Sequence, residues 1–366
     1  MIWRCDLVPQ YNAYRGEIDE AIQRVLRSGR YILATEVAAF EQEFAAYLGV
    51  KHVVSVANGT DGLVLALRAR DIGPGDEVIT TPFTAIPTVS AIVQTGATPV
   101  FVDVCGDTFL MDVEKVASAV TPRTKAVIPV HIFGNMVDVP RLRQVVGDRI
   151  VIVEDACQSH GSTSGGRQSG SLGDMGVFSF YPTKNLGGYG DGGAVATNSD
   201  EDASLLRLLR TYGMTDYNHI VIDGENSRLD ELQAAVLRVK LKHLDAMNEQ
   251  RRGIAEQYVR ELRPDLFRQQ HIPPGVRPNY HVFASRCMVG RAGLMRHLAA
   301  HEIQTNIYYL MPVHLQEAHR HLGWKRGDLP VSEQVCGDIV ALPMYPELPA
   351  ATLTAIISAI NSYEGL

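Results

Sequence analysis

Short apolar segments alternate with amphipathic helical patterns through the first half of the chain, and this alternation limits the fold more than any other feature. The segments 52–56, 126–130 and 150–153 are apolar along almost their whole length, as expected for strands buried on both faces. Helical patterns separate such segments, for example at 86–95 and 113–119. We therefore predict an α/β fold with a mainly parallel sheet covered by helices, whose ligands bind beyond the carboxyl ends of the strands.

The pattern changes after residue 244. A proline-rich loop at 273–278 is followed by one apolar strand and by further helical patterns, without the earlier alternation. A chain of 366 residues is also long enough for two domains. We predict a large domain at 1–244 and a smaller α+β domain at 245–366.

Composition argues against several classes of protein. The formal net charge is −7 and there is no basic block, so we expect no nucleic-acid partner. No apolar run is long enough to span a bilayer and the first residues lack the layout of a signal peptide, so we expect a cytoplasmic protein with no membrane partner. The five cysteines are scattered without a C-x-x-C pair, which indicates reduced thiols and no metal site.

Two motifs follow strands in the first part of the predicted sheet. Asn58, Gly59 and Thr60 stand where a strand passes into a helix, and the free N–H groups of a helix N-terminus suit a phosphate. Thr60 is also a plausible N-cap, so a plain helix start is the alternative. Phe83, after the next strand, could stack on a flat ring or belong to the core.

An acidic pair, Glu154 and Asp155, directly follows the apolar strand at 150–153. A buried acid is costly unless it is paired. Asp155 could therefore hold a proton on the pyridine nitrogen of pyridoxal phosphate, with Gln158 and His160 lining the ring. The alternative is that Asp155 caps a helix.

Lys184 stands on a turn between two apolar segments, and a glycine-rich run at 187–193 follows it. A lysine that loses solvent in such a turn has a lowered pKa, and its neutral amine can form a Schiff base with a carbonyl. The alternative is an exposed lysine in a flexible loop.

A further helix is predicted to begin near residue 227 or 228 and to run to about 244. Asn226 and Arg228 stand at its start, where their side chains could reach an anion. The alternative is a capping cluster with solvated charges.

Taken in order, these motifs resemble those of the DegT-type nucleotide-sugar aminotransferases, which are fold-type I enzymes that use pyridoxal phosphate. The strings that carry the resemblance include Asn-Gly-Thr-Asp at 58–61, Glu-Asp-Ala-x-Gln-x-His-Gly at 154–161, Ser-Phe-Tyr-Pro-x-Lys at 179–184, Gly-x-Asn-x-Arg-Leu-Asp at 224–230 and Pro-Val-His at 312–314. Each string is common alone, whereas the ordered set is specific and extends over essentially the whole chain.

The resemblance implies roles for individual residues. Lys184 would form the Schiff base with pyridoxal phosphate and act as the base that moves a proton during transamination. Asp155 would pair with the pyridinium nitrogen, Phe83 would stack on the ring, and Gln158 would lie near its 3-hydroxyl group. Asn226 would reach the phosphate of the neighbouring subunit, which implies a homodimer with shared active sites. The implied contacts of the phosphate within one subunit are Gly59, Thr60 and Ser179.

The resemblance also implies a substrate class, namely L-glutamate as the amino donor and a keto-sugar on a nucleoside diphosphate as the acceptor. Some relatives that dehydrate sugars carry a histidine at the position of Lys184, so the lysine favours transamination. The run 184–193 is similar to the branch that acts on 3-keto sugars. The product would be an amino sugar for polysaccharides or glycosylated natural products.

Arg228 is similar to an arginine of members that act on uronic acids, where it could bind a carboxylate. Relatives often have a histidine and a proline where this chain has Tyr308 and Leu310, which leaves the sugar contacts open. The alternative function is a regulator or accessory protein that binds pyridoxal phosphate in the same fold without efficient turnover. The candidate substrate contacts are Tyr181, Arg228, Tyr308, Tyr309 and His314.

Overall fold

The computed structural model describes residues 1–216 and 218–365, in which strands and helices alternate from residue 52 to the strand that ends at Asp155. The strands are β1 (His52–Val56), β2 (Glu77–Thr80), β3 (Thr98–Phe101), β4 (Thr124–Val127), β5 (Val151–Asp155), β6 (Thr163–Ser164), β7 (Arg167–Gln168), β8 (Met175–Ser179), β9 (Gly193–Thr197), β10 (Met214–Asp216), β11 (His219–Ile220), β12 (Phe267–Gln269), β13 (Val276–Arg277), β14 (Phe283–Cys287) and β15 (Ile339–Leu342). The helices are α1 (Val8–Ser28), α2 (Thr35–Leu48), α3 (Gly59–Arg68), α4 (Ile86–Gln94), α5 (Val113–Ala119), α6 (Val139–Val146), α7 (Asp200–Leu209), α8 (Glu231–Leu241), α9 (Leu244–Glu261), α10 (Arg291–Ala300), α11 (Pro330–Asp338) and α12 (Ala350–Asn361), with short 3-10 helices at Ile132–Gly134, Val313–Leu315 and Glu317–Leu322.

The central sheet has seven strands in the order β1-β9-β8-β5-β4-β2-β3. β9 runs antiparallel to both of its neighbours, β1 and β8, while the other paired strands are parallel. The predicted α/β fold with a mainly parallel sheet is therefore confirmed.

Helices cover both faces of this sheet because its strands carry apolar side chains on both sides. In β8, Val177 packs in one core cluster with Leu65 of α3, while the next residue, Phe178, packs in another with Phe44 of α2. Consecutive strand residues point to opposite faces, so one short apolar segment contributes to both layers.

The register of the sheet brings several carboxyl ends together. Gly193, the first residue of β9, is paired with Val56 at the end of β1 and with Ser179 at the end of β8. β5 ends at Asp155, which is paired with Val177 of β8. The motifs that follow β1, β5 and β8 and the loop that precedes β9 therefore meet at one edge.

A second, three-stranded sheet, β12-β14-β15, lies in the C-terminal part and packs with α9, α10 and α12 around its own core cluster. We propose the boundary between the two domains near 244 and 245, since α9 begins at Leu244. The first residues of the chain join the second unit, because Ile2 bridges to Ile303 and packs on the C-terminal cluster.

Some element boundaries differ from the predictions. The amphipathic pattern at 17–28 predicts a helix there, whereas α1 begins at Val8, and the helix predicted up to 244 ends at Leu241, before α9. α7 was not predicted, although Ser199 caps it by accepting a hydrogen bond from the backbone N–H of Asp202. Among the described residues, no helix is long and apolar enough to cross a membrane.

Candidate active site

A cavity of about 370 Å³ opens at the edge where the strand ends meet. It contains seven of the predicted site residues, namely Gly59, Thr60, Asp155, Gln158, Ser179, Tyr181 and Lys184. Its remaining lining residues are Asn58, Leu63, Ala85, Pro87, Thr88, Cys157 and Asp191.

The corner between β1 and α3 is built to leave backbone exposed to a ligand. The side chain of Asn58, and not that of Thr60, caps α3 by accepting a hydrogen bond from the N–H of Asp61 at 2.9 Å. The N-cap expected at Thr60 is therefore wrong, and its hydroxyl group is not used by the cap. A Cβ atom at Gly59 would lie 2.9 Å from both Cys157 Sγ and Ser179 Cβ, so only glycine fits there. The first-turn N–H groups and the helix dipole make this corner suitable for a phosphate.

Asp155 extends from the end of β5 into the cavity, and its side chain is held from two sides. Its Oδ2 accepts a hydrogen bond from Thr88 Oγ1 at 2.7 Å, and its Oδ1 accepts one from the N–H of Cys157 at 3.2 Å. Asp155 lines a cavity and caps no α-helix, so the alternative of a helix cap is wrong. Burial raises the pKa of the Cys157 thiol well above its ordinary value, so this neighbour stays protonated at neutral pH.

Glu154 has a structural function, unlike the aspartate beside it. It is fully buried and accepts hydrogen bonds from the N–H groups of Gly170, Leu172 and Gly173 at 2.9, 2.6 and 2.6 Å. Its Oε2 also lies 2.8 Å from Nε2 of His131. His131 Nδ1 accepts from a backbone N–H, so Nε2 carries the proton and donates to Glu154. Of the two adjacent acids, Glu154 thus holds the loop at 170–173, while Asp155 faces the cavity.

Lys184 lies on the turn after β8, where its N–H donates to the carbonyl oxygen of Tyr181 at 2.8 Å. Its side chain lines the cavity with Asp155. Burial lowers the pKa of the Lys184 amine, and the charge of Asp155 opposes that shift in part. The amine is therefore easier to deprotonate than that of an exposed lysine, and the alternative of an exposed loop lysine is wrong.

The loop after Lys184 is held from beneath by α8 and α9. The side chain of Gln233 accepts a hydrogen bond from the N–H of Tyr189 at 2.7 Å. Asn185 is buried and donates to Asn248 Oδ1 at 2.8 Å. These bonds give a glycine-rich loop a fixed conformation, and they fix the backbone that carries the lysine.

Gln158 is also fixed by hydrogen bonds. Its Oε1 accepts from the N–H of Phe133 at 2.8 Å, and its Nε2 donates to the hydroxyl oxygen of Tyr309 at 2.9 Å. Tyr309 thus supports a residue of the cavity wall, although it does not line the cavity itself. Burial raises the pKa of Tyr309, so its hydroxyl stays protonated.

Three of the predicted residues are buried away from the cavity. Phe83 is fully buried, with its ring edge-on to Phe133 and Tyr309 at centroid distances of 5.9 and 5.7 Å. It therefore belongs to the core, and the small side chains of α4 occupy the cavity wall in its place. His160 is fully buried as well, with its ring centroid 5.4 Å from that of Phe178.

The third is His314, which is buried and whose Nε2 lies 3.4 Å from Glu333 Oε1. Neither it nor Tyr308 lines the cavity, and the Tyr308 hydroxyl accepts a hydrogen bond from Arg4. Arg228 is half-buried, with its guanidinium 5.9 Å from the ring centroid of Tyr212. The candidate substrate contacts are thus divided, with Tyr181 alone of the five inside the cavity.

Asn226 is exposed and does not line the cavity of its own chain. Its backbone bridges to Thr211, and its neighbour Ser227 donates to Asp61 Oδ2 at 2.7 Å. Ser227 also accepts from the N–H of Ala57 at 3.1 Å, which ties the start of this segment to the phosphate corner. The Asn226 side chain itself remains directed to the surface.

Residues that the sequence reasoning missed include Thr88, Ala85 and Asp191, all of which line the cavity. Thr88 lies in the first turn of α4, after the second strand of the sheet, where a polar residue next to a strand end was the available signal. Within the described residues, no group of three or more histidine, cysteine or acidic side chains is arranged to bind a metal ion.

The different environments of Glu154 and Asp155 predict unequal losses of stability from the same conservative change. In Glu154→Gln, one oxygen acceptor becomes a donor that faces backbone N–H groups, so we expect the free energy of unfolding to fall by about 3 kcal/mol. In Asp155→Asn, the hydroxyl group of Thr88 can reorient, so we expect a loss below about 1 kcal/mol. Chemical unfolding of the cofactor-free proteins measures both, and equal losses would contradict this division.

Lys240 predicts a pH dependence of stability. Its Nζ donates to the carbonyl oxygen of Gly187 at 2.8 Å and lies 4.3 Å from the ring centroid of Tyr189. Burial lowers the pKa of Lys240 to about 8, and the nearby Glu347 opposes that shift. The folded protein therefore loses its proton at lower pH than the unfolded chain, and folding is penalised most below pH 8.

Relative to Lys240→Met, the wild-type protein should gain about 1.5 kcal/mol of unfolding free energy between pH 7.5 and 9.5. Denaturant unfolding at both pH values measures the difference. Lys242→Met, at an exposed position two residues further on, is the matched control and should show no such gain. If the difference in unfolding free energy between the wild-type protein and Lys240→Met did not change with pH, a lowered pKa of Lys240 would be excluded.

Comparison with known proteins gives one family. The model of the DegT/DnrJ/EryC1/StrS aminotransferase family matches residues 12–361. The chain is 45% identical to dTDP-3-amino-3,4,6-trideoxy-alpha-D-glucose transaminase of Micromonospora megalomicea subsp. nigra, over 96% of each chain. It is 41% identical to a pleiotropic regulatory protein of Geobacillus stearothermophilus, over 98% of this chain and 97% of that protein.

Solved structures agree with this assignment. The crystal structure of S. venezuelae DesV superposes with a TM-score of 0.96 at 43% identity, covering 98% of this chain and 97% of that one. The putative sugar aminotransferase Spr1654 from Streptococcus pneumoniae, in its PLP form, superposes with a TM-score of 0.89 at 27% identity, over 95% of each chain.

The cavity fits pyridoxal phosphate by its chemistry. It combines a buried amine at Lys184, a carboxylate at Asp155 that donors hold in place, and a corner at Gly59 without room for a side chain. These three groups suit the aldehyde, the ring nitrogen and the phosphate of that cofactor. The chain therefore belongs to the DegT/DnrJ/EryC1/StrS aminotransferase family, whose cofactor is pyridoxal phosphate.

Proposed function

We propose that this aminotransferase moves an amino group from L-glutamate to a 3-keto sugar on a nucleoside diphosphate. The observation that carries the proposal is the position of Lys184 and Asp155 in one cavity, in a chain similar to a named 3-amino-sugar transaminase. The product is an amino sugar for a polysaccharide or a glycosylated natural product. The cytoplasmic location expected from the sequence stays a prediction.

The mechanism assigns a task to each side chain of the cavity. When bound, pyridoxal phosphate supplies an electron sink for the carbon that loses a proton. Asp155 provides a fixed negative charge for the protonated ring nitrogen, while Thr60 and Ser179 offer hydroxyl groups to the phosphate. Lys184 anchors the cofactor, and its free amine, with a pKa lowered by burial, accepts and returns the proton that moves during transfer.

The proposal includes a homodimer in which each subunit completes the cavity of the other. Asn226 is exposed and lies outside the cavity of its own chain, so it can only act on a phosphate bound by another copy. The segment before Asn226 exposes the apolar side chains of Tyr212, Ile220 and Val221. Exposed apolar side chains of this kind favour an interface with a second subunit. Arg228 would then meet the sugar part of the substrate in the neighbouring cavity, and a carboxylate of a uronic acid is the proposed contact.

The first experiment is an absorbance spectrum of the purified protein before and after addition of L-glutamate. We expect the visible band of lysine-bound pyridoxal phosphate to give way to the near-ultraviolet band of pyridoxamine phosphate. In Lys184→Ala both the visible band and turnover should be lost while the thermal unfolding of the protein is retained. Normal turnover in this variant would refute the mechanism.

A panel of nucleotide-linked 3-keto and 4-keto sugars then identifies the acceptor, and faster turnover of 4-keto sugars would contradict the proposed branch. Similarity to a pleiotropic regulatory protein supports a second function, a regulator that retains the cofactor. It would be favoured if neither L-glutamate nor L-glutamine changed the spectrum and no keto sugar accepted an amino group.

Asn226→Ala tests the shared site. Loss of a hydrogen bond to a charged phosphate should raise the dissociation constant of pyridoxal phosphate about tenfold, without dissociating the dimer. Cofactor titration of the apoprotein measures the constant, and light scattering the oligomeric state. An unchanged constant in Asn226→Ala would remove this residue from the site.

A further inference from the structure

Two threonines behind the cavity form a chain of hydrogen bonds that ends on Asp155. Thr88 Oγ1 donates to Asp155 Oδ2 at 2.7 Å, and Thr84 Oγ1 lies 2.8 Å from Thr88 Oγ1. All three side chains are buried, with exposed fractions of 1% for each threonine and 6% for Asp155. Thr84 follows Phe83 in the second of the predicted motifs, whereas Thr88 belongs to none of them.

The charge of Asp155 fixes the direction of both hydrogen bonds. An ionised carboxylate has no proton to donate, so the single hydroxyl proton of Thr88 must point to Oδ2. The oxygen of Thr88 is then free to accept, so the hydroxyl proton of Thr84 points to Thr88. Both dipoles therefore point toward the carboxylate, and such an aligned pair is stronger in a buried site than in water.

The position of the threonines in the fold adds to this effect. Thr84 directly precedes the N-cap of α4 at Ala85, and Thr88 lies in the first turn of that helix. The positive end of the helix dipole therefore lies close to the carboxylate. On the other side, the N–H of Cys157 donates to Asp155 Oδ1 at 3.2 Å, so each oxygen has one donor and the plane of the carboxylate is set.

We propose that Thr88, supported by Thr84, is a positioning residue that holds the carboxylate of Asp155 toward the ring nitrogen of the cofactor. This inference rests on the proposed function, since it assumes that Asp155 pairs with that nitrogen. With Thr88 on Oδ2 and the N–H of Cys157 on Oδ1, the carboxylate is held in one orientation in which to meet a protonated ring nitrogen, and that pairing favours proton removal from the donor.

Thr88→Val tests the proposal, because it replaces one hydroxyl group by a methyl group of nearly the same size. We expect the dissociation constant of pyridoxal phosphate to rise about tenfold, as for loss of a hydrogen bond to a charged group. We expect the rate constant of the half-reaction with L-glutamate to fall at least as much, while the KM for L-glutamate changes little. Thr88→Ser, which keeps the hydroxyl group, should restore both, and Thr84→Val should show a smaller loss of the same kind.

The measurements are a cofactor titration of the apoprotein and stopped-flow absorbance of the holoenzyme with L-glutamate. Wild-type values in Thr88→Val would overturn the proposal. It would also be overturned if Thr88→Val only lowered the thermal stability of the apoprotein, since that is the result of a purely structural role. Failure of the wild-type enzyme to react with L-glutamate would refute the proposed function instead, and the cofactor titration would still test the threonines.

Discussion

The antiparallel insertion of β9 between β1 and β8 is the constraint on which the active site depends. Gly193 at the start of β9 lies so close to the end of β1 that a Cβ atom there would be 2.4 Å from the carbonyl carbon of Asn58. This approach, possible only for glycine, places the end of the lysine loop beside the phosphate corner. The register pairs the same glycine with Ser179 at the end of β8. Two groups that are distant in sequence are thus joined through backbone contacts.

Burial then sets the chemistry of the side chains that the register of the central sheet brings together. Lys184 has a lowered pKa because burial disfavours the charged form of its amine, and Asp155 is stable there because two donors compensate its charge. Glu154, one residue earlier, is on the opposite face of the strand and meets three backbone N–H groups of another loop. The alternation of a β-strand therefore separates a structural acid from a functional acid within one dipeptide.

The glycine-rich loop shows how a flexible sequence becomes a rigid part of the site. Gln233 and Lys240 of α8 bind its backbone, and Asn185 is buried against α9. The two helices lie in sequence after the whole central sheet. The orientation of Lys184 consequently depends on contacts of its loop with α8 and α9, which come later in the chain. Such support is what allows a catalytic amine to be presented from a loop.

The sequence by itself determined the fold class and the candidates for the cofactor site, because apolar strands that alternate with helices have few arrangements and place their following motifs at one edge. Lys184, Asp155 and Gly59 could be found in this way, since Asp155 is the last residue of β5, and Gly59 and Lys184 stand shortly after β1 and β8. Only the tertiary structure decided the roles of Phe83, His160 and Thr88. An aromatic ring near a strand end fits either a core or a cavity, and long-range packing placed Phe83 and His160 in the core. Thr88 acquired its contact with Asp155 from the parallel sheet, which brings together residues that lie far apart in the chain.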